Sequence, residues 1–265
     1  MFGPHLRRWN LVSDGEPIAT HSSDLLPVRS GDTPAMLKVA RSEEERRGAS
    51  LMAWWDGTGA ARVLAHHGDA ILLERAMGRR SLTSMAHQGH DDEASRIICG
   101  VAAKLHVHHG STPATLVPLS NWCAELSHAA GTDGGIFTQA AATAGELLAS
   151  PQEVCVLHGD LHHGNVLDFG ERGWLAIDPK GLIGDRGFDF ANVLCNPDSE
   201  IATAPGRMVR QINVVAEAAR LDPARLLRWV LAYAGLSAAW TIGEGGDPTL
   251  ALTMAHMAAA EIAAA

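Results

Sequence analysis

The hydrophobic period of the chain changes once, near residue 76, and that change restricts the fold more than any other feature. Before it, short apolar runs at Trp9–Val12, Ile18–Ser23, Leu25–Val28 and Ala35–Ala40 are separated by the turn-formers Ser13-Asp14-Gly15-Glu16-Pro17 and Ser30-Gly31-Asp32, a pattern that predicts an antiparallel meander. One helix interrupts it. Ser42 is a natural N-cap with Glu45 at capping-box spacing, and the helix is expected to run to about Trp55 and stop at Asp56-Gly57. Ala61–Ala65 and Ala70–Glu74 then read as a strand pair around Gly68-Asp69. After residue 76 the period becomes helical: Ile97, Ile98, Val101, Ala102 and Leu105 follow an Asp91-Asp92 cap, Phe137–Leu148 forms a further helix, and Asp222-Pro223 opens a last long one. Inside this helical part, Val154–Leu157 reads as a buried strand and Asn165–Asp168 with Trp174–Ile177 as a hairpin. The expectation is an α+β chain of two lobes, 1–76 and 77–265, with a ligand cleft between them.

Bulk numbers narrow the partners. A length of 265 residues with 46% hydrophobic side chains supports a sizeable core, and a formal net charge of −9 disfavours nucleic acid and anionic membrane while suiting a small cationic substrate. Cys99, Cys123, Cys155 and Cys195 form no CxxC pair, so reduced thiols in the cytoplasm are the default. No apolar run reaches the length of a membrane span, and a monomer is expected.

Chemistry concentrates in His158-Gly159-Asp160-Leu161-His162-His163-Gly164-Asn165 and in Asp178 beyond it. A strand delivers Asp160 into a loop, and the hairpin returns the chain so that Asn165 and Asp178 can lie side by side. A carboxylate and an amide oxygen there suit magnesium carrying phosphates. Asp160 can accept a proton from an attacking hydroxyl. Any one of these residues alone fits a polar turn equally well. His158, His162 and His163 leave open a second class, a metal-dependent phosphohydrolase. His106, His108 and His109 read as caps of helix carbonyls rather than metal ligands.

His158-x-Asp160 with Asn165 resembles the HxDxxxxN loop of the protein-kinase-like fold in the form used by aminoglycoside phosphotransferases. Arg172–Pro179, Gly235–Trp240, Thr20–Ser23 and Met36–Arg41 are similar to the streptomycin 6-phosphotransferases within that family. The resemblance covers nearly the whole chain. It implies a bilobal protein-kinase-like fold, with a small antiparallel N-lobe carrying one helix and a larger, mainly helical C-lobe. It also implies ATP and Mg2+ as cofactors, Asp160 as the base, Asn165 and Asp178 as metal ligands, and the 6-hydroxyl of streptomycin as acceptor. Hydroxyurea or an amino alcohol is the rival substrate.

A kinase further needs a strand lysine on the nucleotide phosphates and a helix glutamate to hold it. Lys38 and Glu45 stand at those places, with Glu43 or Glu44 as stand-ins for the glutamate. The glycine-rich phosphate loop is absent; His21-Ser22-Ser23-Asp24 occupies its place, and the Ser22 and Ser23 hydroxyls are expected to face phosphate. Glu74–Ala76 resembles the hinge whose backbone meets adenine. Asp189, in Phe188-Asp189-Phe190-Ala191-Asn192, resembles a mainly structural family aspartate and is carried with Trp240 and Glu244 as a candidate substrate contact.

Overall fold

The computed structural model describes residues 1–107 and 110–264, so His108, His109 and Ala265 and any capping by the two histidines lie outside the described residues. Strands Leu11–Ser13 (β1), Ile18–Ala19 (β2), Ser23–Ser30 (β3), Thr33–Ala40 (β4), Val63–His67 (β5) and Ala70–Glu74 (β6) form one antiparallel sheet in the order β1-β3-β4-β6-β5, with β2 on the side of β3. Along β4, Ala35 and Leu37 are buried on one face, so Met36 and Lys38 share the other. The first face, with Leu11, Leu26, Val28 and Leu72, is covered by Phe2, Leu6 and Trp9. Those residues belong to or flank a six-residue helix, Gly3–Arg8 (α1), that the apolar pattern does not announce. The N-terminal part therefore carries two helices instead of the expected one.

Glu43–Trp55 (α2) is the expected helix. The Ser42 hydroxyl accepts the N–H of Glu45 at 3.3 Å, and Asp56 ends the helix in the left-handed region. Its inner face, Leu51, Met52 and Trp55, joins the main core. That core continues through Leu82–Met85 (α3), Asp91–Leu105 (α4), Leu119–Trp122 (α5), Ala124–Thr132 (α6), Gly135–Ala149 (α7), Gly187–Leu194 (α8), Ser199–Ala202 (α9), Arg207–Ala219 (α10), Pro223–Gly243 (α11) and Thr249–Ala264 (α12). Asp222 caps α11 as its Asp-Pro sequence predicts, accepting the N–H of Arg225 at 2.6 Å.

Asp91 does not cap α4. Its carboxylate receives Arg207 Nε at 2.8 Å, Arg207 Nη2 at 3.0 Å and Gln211 Nε2 at 2.6 Å, which ties α4 to α10 inside the protein. Burial alone would raise the Asp91 pKa, but the guanidinium of Arg207 holds it below the usual carboxylate range.

Small sheets frame the loops of interest. Val117–Pro118 (β7), Leu182–Asp185 (β11) and Val154–Leu157 (β8) pair in the order β7-β11-β8, and Val166–Asp168 (β9) pairs antiparallel with Trp174–Ala176 (β10). The β9–β10 hairpin also bonds to the first part of the chain: Ala61 N–H donates to Ala176 O and Ala176 N–H to Gly59 O, each at 2.9 Å. Among the described residues no helix is long and apolar enough to cross a membrane.

Candidate active site

The loop between β8 and β9 is held from behind. Asp189, on α8, accepts the N–H of His158 on Oδ2 at 2.9 Å and of Gly159 on Oδ1 at 2.7 Å, while His106 Nε2 also lies 2.8 Å from Oδ2. At 1% exposure it cannot reach a substrate, so Asp189 is corrected from candidate substrate contact to the pin of this loop. Burial opposes its charge, and the hydrogen bond and charge of His106 hold its pKa below the ordinary value. His106 is corrected too: its ring bonds Asp189 rather than the carbonyls of α4.

His158 and His162 use ring nitrogens in hydrogen bonds within the loop region, whereas both ring nitrogens of His163 are buried without a hydrogen-bond partner. His158 Nε2 donates to Ile177 O at 2.8 Å and its Nδ1 accepts the N–H of Asp160 at 3.2 Å, which requires the neutral ring; burial pushes its pKa down accordingly. His162 Nδ1 accepts the N–H of Gly164 at 3.1 Å, and burial, with Arg207 nearby, pushes His163 down to about 4. Among the described residues no three His, Cys, Asp or Glu side chains gather as a metal set.

Asp160 is oriented by two amides. Asn192 Nδ2 donates to its Oδ1 at 2.9 Å and Asn165 Nδ2 to its Oδ2 at 3.2 Å. Asn165 also donates to Asp160 O at 2.9 Å, so its own amide oxygen is left for a ligand. The N–H of Ile177 donates to Asn165 O at 2.9 Å, extending the β9–β10 ladder by one step and placing Asn165 opposite Ile177, the residue before Asp178. The Asp178 backbone is left-handed, at φ +63°, a conformation asparaginyl-type side chains tolerate and functional loops often hold.

Across from this loop, the ammonium of Lys38 bonds both Glu45 and Asp178. Burial opposes the charge on Asp178, and Lys38, then Lys180, hold its pKa below the ordinary range. Gly48, three residues after Glu45, lets α2 lie against the residue after Asp178: a Cβ there would stand 2.2 Å from Pro179 O. The serines are hydrogen-bonded within the protein. Ser22 donates its hydroxyl to Glu45 Oε1 at 2.5 Å, and Ser23, 2% exposed, has its hydroxyl 3.0 Å from that of Thr20. Both hydroxyls thus hold the turn and the glutamate, and Ser23 also lies in the wall of the cavity that Lys38 and Asp178 line.

Lys38, Glu45, Asp178, Glu74 and Ala76 line one cavity of about 370 Å³, whose other walls include Leu25, Met36, Met52, Leu73 and Phe169. The Glu74 carboxylate is turned to bracing, taking the N–H of Arg62 at 2.5 Å and the guanidinium of Arg172. On the far side of the loop two hollows meet at Asp160. The first is lined by Glu44, Trp122, Glu125, Lys180, Trp240 and Glu244; the second by His162, Asn192, Ser237 and Asp247. Trp240 packs edge-on against Trp122 at 5.4 Å. Trp240 and Glu244 thus share one hollow with Asp160.

Lys180 is a residue sequence reasoning missed. Its ammonium lies 2.8 Å from Glu44 Oε1 and 3.9 Å from Asp160 Oδ2. Burial disfavours its charge, but Glu44, Asp160 and Asp178 outweigh burial and raise its pKa. Glu125, Trp122 and Asn192 were missed likewise; the only signal was Lys180 itself, a cation two residues after a candidate metal carboxylate.

The residues present fit a magnesium ion. Asn165 and Asp178 offer one amide oxygen and one carboxylate, a hard donor set that leaves most positions to phosphate and water, as this ion prefers. A carboxylate facing one hollow, a hard-oxygen pair beside it and a held cation at an apolar cavity are the components of phosphoryl transfer between two bound molecules.

The family described as aminoglycoside/hydroxyurea antibiotic resistance kinase matches residues 8–245. Over 245 residues the chain is 52% identical to a streptomycin 3''-kinase of Klebsiella pneumoniae, covering 91% of this chain and 92% of that protein. It is 34% identical to a streptomycin 6-kinase of Streptomyces griseus, covering 90% and 81%. Among solved structures it is similar to a choline/ethanolamine kinase family protein from Mesorhizobium loti, with a TM-score of 0.66, 16% identity and coverage of 97% and 90%. At that identity the likeness shows the fold, which is protein-kinase-like.

Proposed function

Because the chain belongs to the aminoglycoside/hydroxyurea antibiotic resistance kinases, we propose that it moves the γ-phosphoryl group of ATP to the 3''-hydroxyl of streptomycin and so inactivates the antibiotic. The nucleotide lies between a lobe of residues 1–76 and one of residues 77–265, with its base in the apolar cavity against the backbone of Glu74 and Ala76. Lys38, steadied by Glu45, takes the phosphates. Asn165 and Asp178 would hold magnesium, which would supply positive charge to the phosphates. Asp160 orients the acceptor hydroxyl and takes its proton. Most of the acceleration then comes from positioning and electrostatics.

The observation that carries the substrate is the 52% identity to the streptomycin 3''-kinase along nearly all of both chains. The hollow beside Asp160 supports it independently: Glu125 and Glu244 with Trp122 and Trp240 suit a guanidinium-bearing ring. The 6-hydroxyl expected from the sequence motifs is the second reading, favoured by the 34% identity to a 6-kinase. Incubation with ATP, magnesium and streptomycin, followed by NMR mapping of the product, decides between them. A phosphate on the 3''-oxygen supports the first reading and one on the 6-oxygen replaces it. Streptomycin recovered unchanged, with hydroxyurea phosphorylated instead, rejects both.

A further inference from the structure

Asp178 and Lys180 lie two residues apart on opposite sides of the loop: Asp178 lines the nucleotide cavity and Lys180 the acceptor hollow. The backbone fixes that arrangement. Lys180 N–H donates to His158 O at 2.7 Å, and Gly159, at φ +85°, brings the two segments so close that a Cβ on it would stand 3.0 Å from Lys180 Cβ. The ammonium, 2.8 Å from Glu44 and 3.9 Å from Asp160, therefore sits beside the route from nucleotide to acceptor hydroxyl. Glu44 and Glu45, neighbours on α2, hold one lysine each: Glu45 holds Lys38 on the nucleotide side and Glu44 holds Lys180 on the acceptor side.

We propose that Lys180 is a catalytic residue of the transfer, its ammonium contacting the phosphoryl group as it passes from nucleotide to acceptor, with Glu44 fixing where that ammonium stands. This rests on the kinase reading of the site. The acceptor oxygen attacks the γ-phosphorus as its proton passes to Asp160. The new O–P bond forms while the bond from phosphorus to the bridging oxygen breaks, and the electron pair stays on ADP. Lys180 forms no covalent bond; it offsets charge on the phosphoryl oxygens, which a group placed at the site of developing charge does at no reorganisation cost. The competing account is an ion pair that merely joins α2 to the loop. Such a pair, at 19% and 32% side-chain exposure, predicts no effect on kcat.

Two measurements on purified Lys180→Met, Lys180→Arg and native protein test this. With streptomycin as acceptor, Lys180→Met should lower kcat about 100-fold while the KM for ATP and for streptomycin change little, and Lys180→Arg should recover part of the loss. Glu44→Gln should lower kcat by roughly tenfold, because the ammonium loses its anchor. Separately, binding of ADP with magnesium and aluminium fluoride, which mimics the phosphoryl group in transfer, should weaken about 100-fold in Lys180→Met while binding of ADP alone does not. A native kcat, a loss confined to the KM for streptomycin, or unchanged affinity for the fluoride complex would overturn the proposal. If native protein fails to phosphorylate streptomycin yet the fluoride complex is still weakened in Lys180→Met, the substrate reading fails and this inference stands.

Discussion

Two charge clusters of similar composition do opposite work in this protein. In the first, Lys38 and Lys180 are held by Glu45 and Glu44 where the sheet meets the helices, each beside a second carboxylate, Asp178 or Asp160, and each lining a cavity. In the second, Arg207 is sealed between α4 and α10. It gives two bonds to Asp91, one to Leu194 O and one to Asn196 O, all between 2.8 and 3.0 Å. The difference is in what remains available. The lysines are point charges that can exchange a carboxylate for a phosphate, whereas the guanidinium has its donors spent in a fixed fork. Removing a member of the first cluster should cost turnover and leave the fold intact. Removing a member of the second should cost the fold and leave chemistry intact.

Asp160→Asn keeps the shape of the loop and removes the base, so kcat should fall by about 10⁴-fold with ATP affinity by calorimetry and the melting temperature little changed; retained turnover would end the assignment. Arg207→Met leaves the Asp91 charge buried without its fork, and urea unfolding should report a loss of about 4 kcal/mol. The same pair sets an acid limit. The folded pKa of Asp91 lies below its unfolded value of about 3.9, so its contribution is full above that pH and is lost as pH falls through the folded pKa. The melting temperature of the native protein should therefore drop steeply below about pH 4, and more shallowly in Arg207→Met. Lys38→Met should lower kcat/KM for ATP about 100-fold with streptomycin binding unaffected. Smallest is Glu244→Gln, at the rim of the acceptor hollow: a KM for streptomycin raised roughly tenfold, with the KM for ATP unmoved, would place the substrate's positive charge there.

These two clusters also differ in how far the sequence announced them. Asp160, Asn165 and Asp178 lie within one strand–loop–hairpin unit, and the capping residue Ser42 stands three positions from Glu45. Local patterns of that kind carry their geometry with them. Asp91 and Arg207 are 116 residues apart and His106 and Asp189 are 83 apart, so no periodicity links them. Each polar residue then invites a local reading, Asp91 as a helix cap and His106 as a carbonyl cap, which the tertiary partner overrides. Ser22 and Ser23 show the reverse: their position at the cavity is legible as a hydroxyl-rich turn, but the bonds that the turn itself makes with those hydroxyls are not. Helix α1 and strand β11 were missed because each is too short to show a period. The acceptor hollow was least legible of all, since α2, α6, α11 and the segment at Lys180 each lend it a side chain.

The most direct test of the division between the clusters is to measure kcat and the melting temperature on the same two proteins, Lys38→Met and Arg207→Met. Lys38→Met, whose orphaned carboxylates line a cavity that water can enter, should melt close to the native protein and lose most of its turnover. Arg207→Met should melt well below both and, at a temperature where it is folded, phosphorylate streptomycin at close to the native rate. A Lys38→Met protein that unfolds early, or a folded Arg207→Met protein without activity, would contradict it.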